Sequence, residues 1–202
     1  MEDVEFFYDR NQPKKNVQSY GRLAVQQRMR LAMAFLHPLR PIVAESWLTQ
    51  GKGNRSKAFG QALKALMQEA MEGHYPDQRI AAERVRISTG LLPAVQIEDV
   101  VCDGQTLEVY FSGESSPLSN GTDEVVLVVY SPEVGVAGKN TDVSLRNEGH
   151  IRLKLPPPLR KDSFHVYLFL HNARKRLFSR SVYIGRLGGQ PGKTTNSADG
   201  EQ

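Results

Sequence analysis

The sequence predicts an α+β protein, with an N-terminal helical hairpin followed by an antiparallel, immunoglobulin-like β-sandwich. Two observations carry this. Apolar positions recur at helical spacing up to about residue 72, then switch to alternation after Tyr75-Pro76. From there to Leu187, short apolar runs are separated by Gly, Pro and Asn, the punctuation of a sandwich or barrel rather than of a parallel sheet. A chain of 202 residues with a 40% hydrophobic fraction has the material for a real core.

Residues 1–19 combine charge, Phe6-Phe7-Tyr8 and a Pro13-Lys14-Lys15 break without a sustained period, and are read as an arm. Residues 20–75 form the basic helical segment. From Tyr20 to about Val43 the positions Leu23, Leu31, Ala34, Phe35, Leu39, Ile42 and Val43 fall near helical spacing, which predicts a helix with one buried stripe. Pro38 and Pro41 disfavour helix before them, so a kink or a new short helix ending near Trp47 is expected there. Trp47 is expected to pack on the second helix or the sandwich. Gly51-Lys52-Gly53-Asn54 reads as a turn, with Asn54 or Ser56 capping a second helix that runs to about Glu72. Its apolar positions Phe59, Ala62, Leu63, Leu66 and Ala70 match the first stripe, and Gly73 supplies a stop.

Strands are expected near 83–88, 94–101, 105–112, 124–131, 142–146, 149–155, 164–171 and 177–186, which places the sandwich at 83–187. Leu107, Val109 and Phe111 alternate with Glu108 and Tyr110, and Val166, Leu168 and Leu170 with Tyr167 and Phe169. Asp103-Gly104 suits a tight hairpin, and a second is expected at 171–175. Residues 188–202 hold no large apolar side chain and are expected to be a disordered tail.

Net charge is +4 and unevenly spread. Residues 1–9 carry four acids and no base, whereas residues 10–67 carry eleven bases against Glu45 alone. Clustered charge of this kind attracts phosphates, an acidic protein face or an anionic surface. The candidate binding residues are therefore Arg22, Arg28, Arg30, Arg40, Lys52, Arg55 and Lys57.

Reactive constellations are not visible. Histidines 37, 74, 150, 165 and 171 never sit at i and i+4 or beside a cysteine pair, so no metal and no cofactor is expected. Gly188 to Thr195 imitates a phosphate-binding loop but has Leu187 where the motif needs glycine, and no helix pattern follows. Gly51-Lys52-Gly53 ahead of a helix could hold an anion, although a plain turn accounts for it as well. No Gly-x-Ser-x-Gly elbow occurs, and the lone Cys102 stands beside Asp103, which disfavours its thiolate. A single cysteine excludes an internal disulfide, and no classical export signal opens the chain, so a cytoplasmic location is favoured. The apolar run from Glu124 to Tyr130 is too short for the roughly 20 residues of a membrane span.

Seven spaced blocks then align with a known pattern: Gln26-Gln27-Arg28 with Phe35-Leu36-x-Pro38-Leu39, Ala58-Phe59, Gly73-x-Tyr75-Pro76, Val85-x-Ile87-Ser88-x-Gly90-x-Leu92, Val126-x-Val128-x-Tyr130, and Ser179-x-Ser181-x-Tyr183-Ile184. Over about residues 17–185 the chain resembles a family of short bacterial proteins of unknown function, with a helical segment ahead of an immunoglobulin or fibronectin III-like sandwich. Members begin with a Gly-rich, β-prone stretch where this chain has its acidic, aromatic arm, and the resemblance brings no catalytic residue with it. The second half is also similar to fibronectin type III domains, where Leu155 and a proline run precede Phe164-x-Val166-x-Leu168. Phe164, at the place nearest the tyrosine corner, lacks the hydroxyl for that bond.

The expectation is a non-enzymatic structural or adaptor protein that binds another protein, or a second copy, through its sandwich and helical segment. The alternative is a nucleic-acid-binding protein that uses the basic segment 10–67.

Overall fold

The computed structural model describes residues 19–112 and 117–188. The expected arm before Ser19 and the tail after Gly188 lie outside them.

Three helices come first. α1 (Tyr20–Leu36) starts at Ser19, whose side chain accepts from the Arg22 N–H. It stops ahead of Pro38, and α2 (Arg40–Ser46) begins afresh with Pro41 in its first turn, where the missing donor costs nothing. α3 (Arg55–Glu69) is capped by Asn54, which accepts from the Lys57 N–H at 3.0 Å. The hairpin forms as expected, but its first stripe is rotated. Ala32, Phe35, Leu36, Leu39, Val43 and Trp47 are buried, while Ala34 faces out. On α3, Phe59, Ala62 and Leu66 are buried and Leu63 is partly so. α3 ends before Glu72, because Met71–Glu72 (β1) pairs with Arg79–Ile80 (β2) in a two-stranded ribbon.

The expected strand at 83–88 does not form. Ala82–Arg84 is a 3₁₀ turn, and an extended connector follows that is held by serine side chains together with single backbone bonds, Ser181 N–H to Ser88 O at 3.1 Å and Leu92 N–H to Phe178 O at 3.0 Å, rather than by a continuous ladder. Ile87 N–H donates to Ser181 Oγ at 3.0 Å, Ser46 Oγ donates to Ile87 O at 2.6 Å, and Ser88 Oγ donates to Ser179 O at 2.7 Å. The alternation of Val85 and Ile87 is therefore real burial without strand pairing.

The sandwich has two antiparallel sheets. One contains β3 (Gln96–Cys102), β4 (Thr106–Ser112) and β8 (His150–Lys154) in the order β3-β4-β8. The other is built on β5 (Glu124–Ser131) and β9 (Phe164–Asn172), flanked by β6 (Val136–Lys139) and β7 (Ser144–Leu145) beside β5, and by β10 (Leu177–Phe178) and β11 (Val182–Leu187) beside β9. The connections from β4 to β5 and from β8 to β9 cross between sheets, as an immunoglobulin-like sandwich requires. β6 escapes sequence reading because Val136-Ala-Gly-Lys139 has little apolar content. The expected 142–146 strand shrinks to two residues as Arg146 turns into a 3₁₀ turn, and 177–186 is split by Ser179–Ser181. Asp103 makes the expected hairpin by accepting from the N–H groups of Gln105 and Thr106, with Gly104 at φ 85°.

The β5–β9 sheet is covered on both faces. Leu127, Val129, Val166, Leu168 and Leu170 meet Leu107, Val109, Phe111, Ile151 and Leu153 of the smaller sheet. Val128, Tyr130, Tyr167 and Phe169 face the other way, onto Phe35, Leu36, Leu39, Val43 and Leu66 of the helices. Phe35 and Tyr130 meet edge to face at 4.9 Å, and Tyr167 donates its hydroxyl to Ala82 O at 2.8 Å. Burial pushes the Tyr130 hydroxyl up to about 12, so it stays neutral. The molecule is thus three layers: helices, large sheet, small sheet.

At one end of the sandwich Asp123, fully buried, accepts from Asn120 N–H at 2.8 Å and Asn172 Nδ2 at 2.6 Å, and lies 3.4 Å from Arg146 Nε. Arg146 also donates to Pro93 O, and burial pulls its affinity for the proton down. Asp123→Ala should lower unfolding free energy by about 3–5 kcal/mol, since it strands a buried guanidinium; Arg146→Met should lose less, because Asp123 keeps its two donors. Urea denaturation of the two variants measures the difference. Gly90 passes so close to β10 that a Cβ would stand 2.0 Å from Phe178 O. Gly90→Ala should cost at least about 1–3 kcal/mol in the same measurement, by prising the connector off the sheet.

Candidate interaction surface

The seven candidate binding residues all lie in the helical layer, and the structure separates them into two kinds. Arg28 is half-buried and donates from Nη2 to Met67 O at 2.9 Å, tying α1 to α3. Arg40 lays its guanidinium over the Phe59 ring, 5.4 Å from the centroid, with its charge in water. Arg22, Arg30, Lys52, Arg55 and Lys57 are exposed. Arg22 and Arg30 share the outward face of α1 with Gln26, at i, i+4 and i+8. Lys52, Arg55 and Lys57 gather around the start of α3, where no acid sits in the first turn to offset the positive end of the helix dipole.

The Gly51–Asn54 turn beneath them is closed by its own groups. Lys52 and Gly53 take φ of 51° and 78°. Gly51 is buried, and a Cβ there would stand 2.5 Å from Ala58 N. Lys57 N–H is met by Asn54 Oδ1 at 3.0 Å, and Ala58 N–H by Asn54 O at 2.9 Å.

Pairing with acids differs from one cation to the next. Beyond α3, Arg79 and Arg84 bind Glu72, Arg86 binds Glu69, Arg146 binds Asp123, Arg152 binds Glu108 and Arg186 binds Glu133. Among the described residues, Arg30, Arg40, Lys52, Arg55 and Lys57 have no such acid, and neither have Lys64 of α3 nor several cations of the sandwich, Lys139, Lys154, Arg174 and Arg180 among them. The outward face of α1 is basic, with Arg22 and Arg30 exposed on it.

That face also carries apolar side chains the sequence reading passed over. Val25, Met29 and Met33, each four residues on from the last, are 61%, 44% and 38% exposed, and Tyr20 is 65% exposed. Their spacing is visible in the sequence, but the reading assigned α1 a single apolar stripe and took it to be the buried one. Beside them a groove of ≈ 520 Å³ runs between α1 and residues 71–78, lined by Tyr20, Val25, Arg28, Met71, Tyr75 and Gln78. Tyr20 and Tyr75 close one end, edge to face at 5.1 Å, and the Tyr20 hydroxyl donates to Tyr75 O. Trp47 is buried as expected, under the Arg86 guanidinium at 5.7 Å.

The outer face of the small sheet is different in kind. Tyr110 donates to Glu108 at 2.9 Å, Arg152 pairs with the same carboxylate, and His150 stacks on the Tyr110 ring. The Arg152 and Tyr110 bonds hold the Glu108 carboxyl below its usual range. This network satisfies itself. Among the described residues no three His, Cys, Asp or Glu side chains are grouped to hold a metal ion, and no helix is long and apolar enough to cross a membrane.

From residue 2 to residue 185 the sequence matches a family of unknown function, DUF6266. The chain belongs to that family. The match takes in the acidic arm, which the block pattern from about residue 17 did not, and stops short of the C-terminal tail. No curated protein matches the chain. Among solved structures, the fibronectin III domain of human collagen alpha-1(XX) chain is similar to 55% of this family member, with 96% of that domain covered, 16% identity and a TM-score of 0.34.

Presentation of Lys52, Arg55 and Lys57 depends on the Asn54 cap. Asn54→Ala should cost about 1 kcal/mol, and amide hydrogen exchange should rise over residues 55–58 while α1 is unchanged.

Proposed function

We propose that this protein is a bacterial, non-catalytic adaptor that works in the cytoplasm and binds another protein through the outer face of its helical layer, with the sandwich as scaffold and its strand edges as a further contact. One observation carries the reading: a stripe of exposed Val25, Met29 and Met33 runs beside Arg22 and Arg30 on a helix whose other face is committed to the core. Apolar side chains bordered by cations complement a protein surface that is apolar and acidic, since burial supplies affinity and charge supplies orientation and on-rate. Methionine suits such a surface because its unbranched chain adapts to the partner.

The exposed cations of the helical layer also fit the phosphate backbone of a nucleic acid, the second reading. The apolar stripe favours protein, because phosphates offer it nothing to cover.

A photo-crosslinking residue in place of Met33, with lysate from cells that make the protein natively, separates the two. The adaptor reading expects one discrete protein adduct that survives nuclease and disappears when Arg30, Arg40 and Arg55 are changed to Glu. Capture of nucleic acid alone, released between 50 and 200 mM salt as counterion release demands, would replace it with the second reading. No discrete adduct of either kind would overturn both.

A further inference from the structure

We propose that the groove between α1 and residues 71–78 is the docking site of the chain's own residues 1–9. The inference rests on the reading of the α1 face as a protein-binding surface and names its occupant in the absence of a partner. Chemistry of the groove is the first ground. Tyr20, Val25, Met71 and Tyr75 give it apolar walls, while Arg28 Nε and Gln78 Oε1 are buried there with no hydrogen-bond partner among the described residues. A buried guanidinium N–H without an acceptor is costly and calls for a carboxylate.

Residues 1–9 have that composition. Glu2, Asp3, Glu5 and Asp9 supply four carboxylates with no base among them, and Phe6-Phe7-Tyr8 supplies three adjacent aromatic rings. The face they would meet holds Arg22, Arg28 and Arg30 beside exposed Val25 and Met29. Opposite charge and apolar surface therefore coincide on both sides.

Reach is the second ground. The chain enters the described structure at Ser19, the cap of α1, with Tyr20 already a wall of the groove. Residues 10–19 extend to at most about 33 Å at 3.3 Å per residue, and α1 is about 25 Å long at 1.5 Å per residue. Residues 1–9 can therefore turn back over any part of α1.

The test is methyl NMR on the full chain labelled at its methionines. Met29, Met33 and Met71 report the groove and its rim, and Met67, packed against the core beneath, reports folding. Docking predicts through-space contacts from the rings of residues 6–8 to Met71 and Met29. It also predicts ring-current shifts at those methyls that vanish in the F6S/F7S/Y8S variant, with Met67 unmoved and no dependence on protein concentration. Unchanged Met29 and Met71 signals in the variant, or no ring-to-methyl contacts in the parent chain, would overturn the proposal. Contacts that fade on dilution would overturn it too, by assigning the groove to a second copy. The parent chain alone decides the matter should the variant fold poorly. A negative result here beside a positive crosslink at position 33 would remove the docked arm and leave the adaptor reading standing.

Discussion

A sheet that is apolar on both faces has to be covered twice, and the architecture follows from that. Val128, Tyr130, Tyr167 and Phe169 are as deeply buried as Leu127, Val129, Val166 and Leu168 on the opposite side of the same strands. At about 1.5–3 kcal/mol for each large side chain removed from water, an uncovered helix-facing surface would forfeit a sizeable part of the stability of a domain this size. The helices are thus a wall of the core, with Phe35, Leu39 and Val43 buried in the same cluster as Tyr130 and Phe169.

Covering a sheet with helices leaves the problem of joining two layers that share no continuous backbone ladder. Serine hydroxyls solve it. Ser46 at the end of α2 reaches Ile87 O, Ser181 meets Ile87 N–H, and Ser88 reaches Ser179 O, so three short side chains and one backbone bond, from Ser181 N–H to Ser88 O, hold the connector where a strand ladder would have done so. Ser46, Ser88 and Ser179 are almost wholly buried, a cost that holds only because each hydroxyl is bonded. The break between β10 and β11 falls at the same place, where Ser179 also accepts from Leu170 N–H at 2.8 Å.

How much of this was legible in the sequence follows from the range of the forces involved. The helix starts, the Asn54 cap, the proline break and the Asp103-Gly104 hairpin depend on neighbours within four residues, and each was readable. Alternation on β4 and β9 was readable too, but not that Tyr167 and Phe169 would be covered, because what covers them lies more than a hundred residues earlier in α1 and α2. The connector at 83–88 was misread as a strand since Val85 and Ile87 alternate correctly while their partners are side chains remote in sequence. Of the candidate surface, the cations were legible as a charge count. Which cations elsewhere in the chain find an acid was not, because Arg86 and Glu69 meet only in the fold. The exposed stripe at Val25, Met29 and Met33 was hidden by the assumption that apolar positions on a helix share one buried face.

The shared core also sets an order of events during synthesis. Phe35 leaves the ribosome well before its neighbour Phe169, and at 5–20 residues per second the interval is roughly 7–27 s. For that time α1, α2 and α3 have formed the sides of a wall with nothing to lean on, and helices of this length hold together poorly alone. Until β9 is released, the apolar side chains of the helices that will face Tyr167 and Phe169 have no sheet to cover them.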